Sequence, residues 1–216
     1  MTLELFADAE PDRRCERLGP GAVHLRAFAS SRAGPLLEAL NEVTRSSPFR
    51  VMTTPGGYRM SVAMTNCGTM GWVSEHSGYR YDAHDPVQAR PWPPMPRLFR
   101  ELASAAATEA GFSAFAPDAC LINRYEPGAR LSLHQDKDER DLDSPIVSVS
   151  LGLPAVFLFG GLRRGDPARR LPLAHGDVVV WGGPARLRFH GVLALKPGQH
   201  PLLGACRVNL SFRKAG

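Results

Sequence analysis

The sequence predicts an α+β fold, mainly β, in which helices come first and an antiparallel β-sandwich of jelly-roll type follows. Two observations predict it. Helical periodicity is confined to two stretches before residue 111. From about residue 119 onward the chain reads as short strands divided by Gly- and Pro-rich turns, with no helix between them. Many short strands without intervening helices close on each other as a sandwich or barrel. The length of 216 residues suits one domain with a sizeable core, so the whole chain, 1–216, is expected to be a single unit.

Residues 1–20 are charged and irregular and read as a loosely held tail. A helix is expected at about 35–45, where Leu36, Leu37, Leu40 and Val43 make an apolar stripe and Pro35 suits a first turn. Residues 48–96 hold seven of the nineteen prolines. Within them, Thr54-Pro55-Gly56-Gly57 reads as a hairpin turn leading into a strand over 58–65. A second helix is expected at 97–110, with Leu98, Leu102 and Ala105 on one face and Gly111 ending it. The strands expected afterwards are 119–125, 130–136, 146–151, 155–159, 178–181, 186–190 and 206–213. Pro127-Gly128, Gly160-Gly161, Gly176-Asp177, Gly182-Gly183 and Pro197-Gly198 punctuate them.

Composition narrows the class. Apolar residues make up 44% and charged residues 22%, as in soluble globular proteins. The net charge of +5 is a mild basic excess, compatible with a polyanionic partner and also common without one. The four cysteines, Cys15, Cys67, Cys120 and Cys206, are scattered and suggest neither a disulfide framework nor a zinc site. The acidic start of the chain does not read as a signal peptide, and no apolar run approaches membrane-span length. A cytoplasmic monomer is the expectation.

The run Leu133-His134-Gln135-Asp136 carries the first chemical signal. In a strand, alternate side chains share a face, so His134, Asp136 and Asp138 point one way and Gln135 and Lys137 the other. His190, in Phe189-His190-Gly191, supplies a third ligand from a later strand. Two imidazoles and one carboxylate on one side of an ion leave the other positions open, which is the arrangement of non-haem iron(II) oxygenases. An H-x-D tripeptide alone is most often surface polarity. His24, His76, His84 and His200 read as surface or structural, and His175 as a turn residue.

The second signal is the strand Arg207-Val208-Asn209-Leu210-Ser211-Phe212-Arg213. Val208, Leu210 and Phe212 share one face; Arg207, Asn209, Ser211 and Arg213 share the other. The ordinary reading is a half-exposed strand with a solvated polar side. Two arginines on one face can also clamp the two carboxylates of a molecule such as 2-oxoglutarate in bidentate fashion. Leu121, Asn123 and Tyr125 share a face of another strand, where Asn123 and Tyr125 offer uncharged hydrogen bonds to the same anion.

Together these pieces resemble the AlkB family of nucleic-acid dealkylases, within the iron(II)/2-oxoglutarate dioxygenases. The resemblance runs over nearly the whole chain. It includes Leu5-Phe6-Ala7-Asp8-Ala9-Glu10-Pro11, Thr54-Pro55-Gly56-Gly57-Tyr58, Met60-Ser61-Val62-Ala63-Met64-Thr65-Asn66-Cys67-Gly68 and Asp118-Ala119-Cys120-Leu121-Ile122-Asn123-Arg124-Tyr125. Leu133-His134-Gln135-Asp136-Lys137-Asp138-Glu139, His175-Gly176-Asp177-Val178-Val179-Val180-Trp181-Gly182-Gly183 and the 207–213 strand complete it. It implies a double-stranded β-helix (jelly roll) core at about 119–213. It implies iron(II) held by His134, Asp136 and His190, and 2-oxoglutarate held by Asn123, Tyr125, Arg207, Asn209 and Arg213, with O2 as second cosubstrate. Which arginine takes which carboxylate is left open. Ser211 stands where the family often has threonine, a change that keeps the hydroxyl.

The activity so implied is oxidative dealkylation of bases such as 1-methyladenine and 3-methylcytosine in single- or double-stranded DNA, and in RNA. 2-Oxoglutarate is decarboxylated to succinate and carbon dioxide, and an aldehyde is released. The base must leave the stack to be reached. Residues 48–92 are then expected to be a nucleotide-recognition lid, with Thr54 and Tyr79 on the backbone, Trp72 stacked on the base against His134, and Asp138 at the base edge. Gly71 is expected to let the chain bend and present Trp72, and Arg164 to contact phosphate or lesion from the opposite rim. Trp72 in a small satellite core is the plainer alternative. Two other classes stay open: the same chemistry on a protein or small molecule, and a metal-binding jelly roll without turnover. The arginines facing the metal speak against the second.

Overall fold

A computed structural model describes residues 14–216; the first part of the expected tail, with the 5–11 run, lies outside them. In chain order the elements are β1 (Cys15–Gly19), β2 (Ala22–Leu25), α1 (Ala33–Ser46), β3 (Arg50–Thr53), β4 (Arg59–Gly68), β5 (Gly71–Glu75) and β6 (Gly78–Asp82). Then come β7 (His84–Asp85), β8 (Arg90–Pro91), α2 (Arg97–Glu109), β9 (Ala119–Tyr125), β10 (Leu131–His134), β11 (Ile146–Gly152) and β12 (Ala155–Phe159). The last four are β13 (Arg169–Leu173), β14 (Val178–Trp181), β15 (His190–Val192) and β16 (Arg207–Arg213).

The layers follow from strand alternation. An eight-stranded sheet runs β1-β2-β14-β11-β16-β9-β4-β3, and a four-stranded sheet runs β10-β15-β12-β13. Along β16, Val208, Leu210 and Phe212 join the apolar cluster beneath α1 and α2, with Leu36, Leu40, Phe99 and Leu102. Burying each is worth about 1.5–3 kcal/mol. The next residues along each strand face the second core, between the sheets, where Leu121, Tyr125, Ile146 and Trp181 meet Phe157, Phe159, Leu171 and Val192. This three-layer arrangement is the jelly roll the strand pattern predicts.

Several elements differ from the sequence reading. The 15–19 part of the expected tail is the edge strand β1, paired with β2, which itself pairs with β14. The large sheet thus extends beyond 119–213 and takes in β1 to β4. Within the expected lid, β3 and β4 belong to that sheet, and the β5–β6 hairpin stands apart as a two-stranded piece. The turn at Thr54 is as expected, closed by Gly57 N–H donating to the Thr54 carbonyl at 2.9 Å. The buried face of α2 is Phe99, Leu102, Ala103, Ala106 and Ala107, and Ala105 is exposed. The large Phe99 side chain sets that face by packing edge-on against Phe212. β10 stops at His134, and residues 186–189 are not a strand but follow a 3-10 turn over Gly183–Ala185, so β15 begins at His190.

Gly71 has a different task from the one expected. A Cβ there would lie 2.4 Å from the Trp92 ring, so its lack of a side chain makes room for a neighbour. Gly176 is a turn glycine, at φ +86°, where a Cβ would also meet Ser30 Oγ.

His24 and Asp177 form a buried strut between β2 and the turn before β14. The carboxylate accepts from His24 Nε2 at 3.0 Å and from the backbone N–H of Ala27 and Ala174 at 2.8 Å each. Burial alone would raise this carboxyl; the donors outweigh it and hold it below the usual range. A depressed folded pKa stabilises the fold above the unfolded carboxyl pKa of about 3.9, and that contribution is lost as pH falls through the folded value. Asp177→Asn is therefore expected to cost about 1–3 kcal/mol at pH 7. Thermal unfolding from pH 7 to 3 should show the gap between parent and variant closing below about pH 4.

Candidate active site

The pairing of β10 with β15 places His134 directly across from His190. Their rings lie 4.4 Å apart, centroid to centroid. Asp136 sits two residues beyond the end of β10. The ligand atoms of His134, Asp136 and His190 all lie within 4.8 Å of one another. Each imidazole is oriented by its own backbone: His134 Nδ1 lies 2.8 Å from the Ser132 carbonyl, and His190 Nδ1 3.0 Å from the Arg188 carbonyl. A carbonyl only accepts, so each Nδ1 carries a proton, and each Nε2 lies near Asp136, at 3.6 Å from His134 and 3.5 Å from His190. Burial, and His190 beside it, push the His134 imidazole down to about 4, so it is neutral at physiological pH. Burial alone would raise the Asp136 carboxyl, but Arg213, His190 and His134 hold it well below its usual range. Two imidazoles and one carboxylate fit a divalent iron and leave half of its coordination sphere free.

Past the end of β10 the strand alternation does not persist. His134, Gln135, Asp136, Lys137 and Asp138 all border one cavity of about 860 Å³. The residues expected to bind cosubstrate, Asn123, Tyr125, Arg207, Asn209 and Arg213, line the same cavity. They come together because β9 and β16 pair with Tyr125 opposite Arg207 and Asn123 opposite Asn209. The polar face of β16 is therefore buried rather than solvated.

Arg207 is 1% exposed, with its guanidinium 4.9 Å over the Tyr125 ring and Nη2 donating to Ser150 Oγ at 2.8 Å. Its Nε and Nη1 are buried without a partner among the described residues, as is Asn123 Oδ1. Burial lowers the Arg207 pKa, and no carboxylate stands among the groups that counter this. A buried cation with idle donors and no counter-ion is a site built for an anion. Arg213 differs. Its Nε lies 3.0 Å from Asp136 Oδ2, and Nη2 meets the same oxygen. Asn209 has both amide hydrogens committed, to Ser148 Oγ at 2.8 Å and the Val149 carbonyl at 3.0 Å. It holds Asn123 in place and offers the cavity no free donor.

The residues expected at the substrate also border this cavity: Thr54, Trp72, Tyr79, Asp138 and Arg164. Trp72 stacks on Tyr79 at 5.4 Å and 16°, and its Nε1 donates to Asp138 Oδ2 at 2.9 Å. Arg164 donates to the Leu133 carbonyl at 2.8 Å and lies over the Phe189 ring, so it sits beside both histidines. Sequence reasoning did not single out Glu139 and Arg186, which are buried as an ion pair at 3.0 Å. His175 is structural: its Nδ1 accepts from Gly152 N–H at 2.9 Å.

A jelly roll carrying an open His-Asp-His triad beside a buried anion pocket defines an oxygenase that uses one iron and a carboxylate cosubstrate. The chain belongs to the 2OG-Fe(II) oxygenase superfamily, whose family model matches residues 21–213, and within it to the AlkB family. It is an iron(II)- and 2-oxoglutarate-dependent dioxygenase, with O2 as the other cosubstrate. It is 62% identical over 214 residues to the alpha-ketoglutarate-dependent dioxygenase AlkB of Escherichia coli K12, covering 99% of this chain and 98% of that one. It is 33% identical over 130 residues to the mouse nucleic acid dioxygenase ALKBH1, covering 60% of this chain and 33% of that one. The solved structure of OsALKBH1 superposes with a TM-score of 0.80 at 29% identity, over 93% of this chain and 100% of that one.

Proposed function

We propose that this dioxygenase removes alkyl groups from ring nitrogens of bases in DNA, and in RNA, with cationic lesions such as 1-methyladenine and 3-methylcytosine preferred. The observation that carries this is one cavity in which an aromatic stack and an acidic edge, Trp72, Tyr79 and Asp138, stand over the histidine pair. A flat, positively charged base fits such a slot. The nucleic-acid substrate named for the mouse relative supports the same reading.

In this reading His134, Asp136 and His190 hold iron(II), whose chemistry with O2 and 2-oxoglutarate supplies the oxidant that hydroxylates the alkyl carbon, with succinate and carbon dioxide as by-products. Arg213, which touches the ligand Asp136, takes the carboxylate nearest the metal. Arg207, at the far end of the same strand face, takes the distal carboxylate, and Tyr125 and Asn123 complete the pocket. Trp72 has one face on Tyr79 and offers the other to the base, which lies between it and His134. Asp138, its Oδ2 engaged by the indole, offers Oδ1 to an exocyclic amino group and attracts the lesion's charge. The hydroxyalkyl adduct then breaks down to aldehyde and repaired base. Residues 48–92 serve as the recognition lid, with the β5–β6 hairpin as its working part and Thr54 and Tyr79 on the backbone. Arg164 would swing from the Leu133 carbonyl to a phosphate. An unpaired or flipped base is required, and a cytoplasmic monomer suits the task; among the described residues, no helix is long and apolar enough to cross a membrane.

The test is succinate release with iron(II), 2-oxoglutarate and a panel of oligonucleotides bearing cationic or neutral methylated bases. Stimulation by 1-methyladenine and 3-methylcytosine is expected, and indifference to every oligonucleotide refutes the reading. Trp72→Ala is expected to weaken binding of a methylated oligonucleotide by about 1–3 kcal/mol, the scale of one stacked base. Fluorescence anisotropy checks it; a variant that unfolds while binding is otherwise unaltered makes Trp72 a core residue.

A further inference from the structure

One buried charged cluster touches the ligand loop without being part of the triad or the cosubstrate pocket. Glu139 lies inside the charged run 136–141 yet is 7% exposed. Its Oε2 accepts from Arg186 Nη2 at 3.0 Å; its Oε1 accepts from the Tyr81 hydroxyl at 2.7 Å and lies 3.2 Å from Arg213 Nε. Arg186 is 3% exposed and uses its remaining nitrogens on the loop itself. Nη1 donates to the Asp136 carbonyl at 2.7 Å and Nε to the Ser144 carbonyl at 3.1 Å. One guanidinium thus pins the loop at residues 136, 139 and 144.

The same loop holds the hairpin. Trp72 and Tyr81 face each other across the β5–β6 register. The consecutive residues Asp138 and Glu139 each take one of them, at 2.9 and 2.7 Å. Replacing a whole buried ion pair by apolar groups is often neutral or stabilising, whereas breaking it is costly, so net stability does not by itself account for this pair. Here the geometry concerns the backbone of Asp136, the fork of Arg213 and the seat of the hairpin.

We propose that Glu139, clamped by Arg186, is a positioning residue that sets Arg213 and the Asp136 loop for 2-oxoglutarate and, through Tyr81, makes seating of the hairpin on substrate depend on that cosubstrate. The proposal rests on the dealkylase reading above. Outer-shell partners change metal affinity or activity by about 10- to 100-fold when lost, and the same scale is expected here for 2-oxoglutarate.

The test uses the iron(II)-loaded chain without oxygen. 2-Oxoglutarate binding is followed by calorimetry, and binding of a 1-methyladenine oligonucleotide by anisotropy with and without 2-oxoglutarate. Glu139→Gln keeps an acceptor for Tyr81 but removes the charge facing both arginines. Its Kd for 2-oxoglutarate is expected to rise about tenfold, with faster hydrogen exchange over 135–144. Tyr81→Phe is expected to leave that Kd within about twofold, as for independent sites, and to abolish the tightening of oligonucleotide binding that 2-oxoglutarate produces in the parent. If Glu139→Gln only lowers the unfolding temperature and moves neither binding constant, Glu139 is structural and the proposal fails. Should that variant not fold, Glu139→Asp, which keeps the charge at shorter reach, and Tyr81→Phe decide it on the same measurements. A parent that binds the oligonucleotide equally with and without 2-oxoglutarate overturns the coupling. A parent that binds 2-oxoglutarate but no oligonucleotide overturns the substrate reading instead.

Discussion

Asp136→Ala is expected to abolish iron binding and reduce succinate release to background. The carboxylate is the triad's only anion, and its loss should weaken iron(II) by more than the roughly 100-fold ceiling of an outer-shell change. The fold should survive. Removing one partner of a buried ion pair costs about 3–5 kcal/mol when the other is left alone, but Arg213 keeps Glu139 Oε1 at 3.2 Å. Equilibrium dialysis against iron(II) without oxygen, with an unfolding curve alongside, separates the two effects. Stoichiometric iron and normal succinate release in this variant would remove Asp136 from the site.

Arg207→Met is expected to have opposite effects on cosubstrate and on fold. The arginine is buried with two nitrogens unpartnered among the described residues and with Tyr125 and Ser150 against it. A methionine fills much of the same volume without a charge to desolvate. Replacing buried ionic groups by apolar ones is often neutral or stabilising, so the ligand-free chain should be as stable as the parent or up to about 2 kcal/mol more so. Losing one side of a buried charge pair with a ligand costs about 2–5 kcal/mol. The Kd for 2-oxoglutarate should therefore rise by about 30-fold or more. Calorimetry reads the affinity and denaturant unfolding the stability. A destabilised variant with unchanged affinity would show that Arg207 serves the fold.

Much of the site was legible because its chemistry follows local rules. The alternation of β16 put both arginines on one side, and a His-x-Asp plus a distant histidine suggested the triad. The supporting groups were not legible. Glu139 lies inside the charged run from Asp136 to Asp141, which reads as solvated; it is buried because Arg186, 47 residues later, reaches it. Arg186 fell in a stretch that read as the strand leading into His190, whereas Gly182 and Pro184 favour the 3-10 turn that aims its side chain at the loop. β1 and β2 are short and, in β1, charged; they are strands because they pair with each other and β2 pairs with β14. The direction of α2 was legible, but its buried face depended on where Phe212 lay.

The position of β16 has a consequence for how the protein is made. It is the single join between β1-β2-β14-β11 and β9-β4-β3, and it comes after every other strand in the chain. A ribosome extends the chain from its N-terminus at about 5–20 residues per second. A nascent chain that has reached residue 206 can therefore form two half-sheets whose facing edges, β11 and β9, lack their partner. Such open edges invite pairing with other chains until Arg207–Arg213 is in place between them. That strand also carries Arg207 and Arg213, so the polar wall they give the cavity is the last part of it to be put in place.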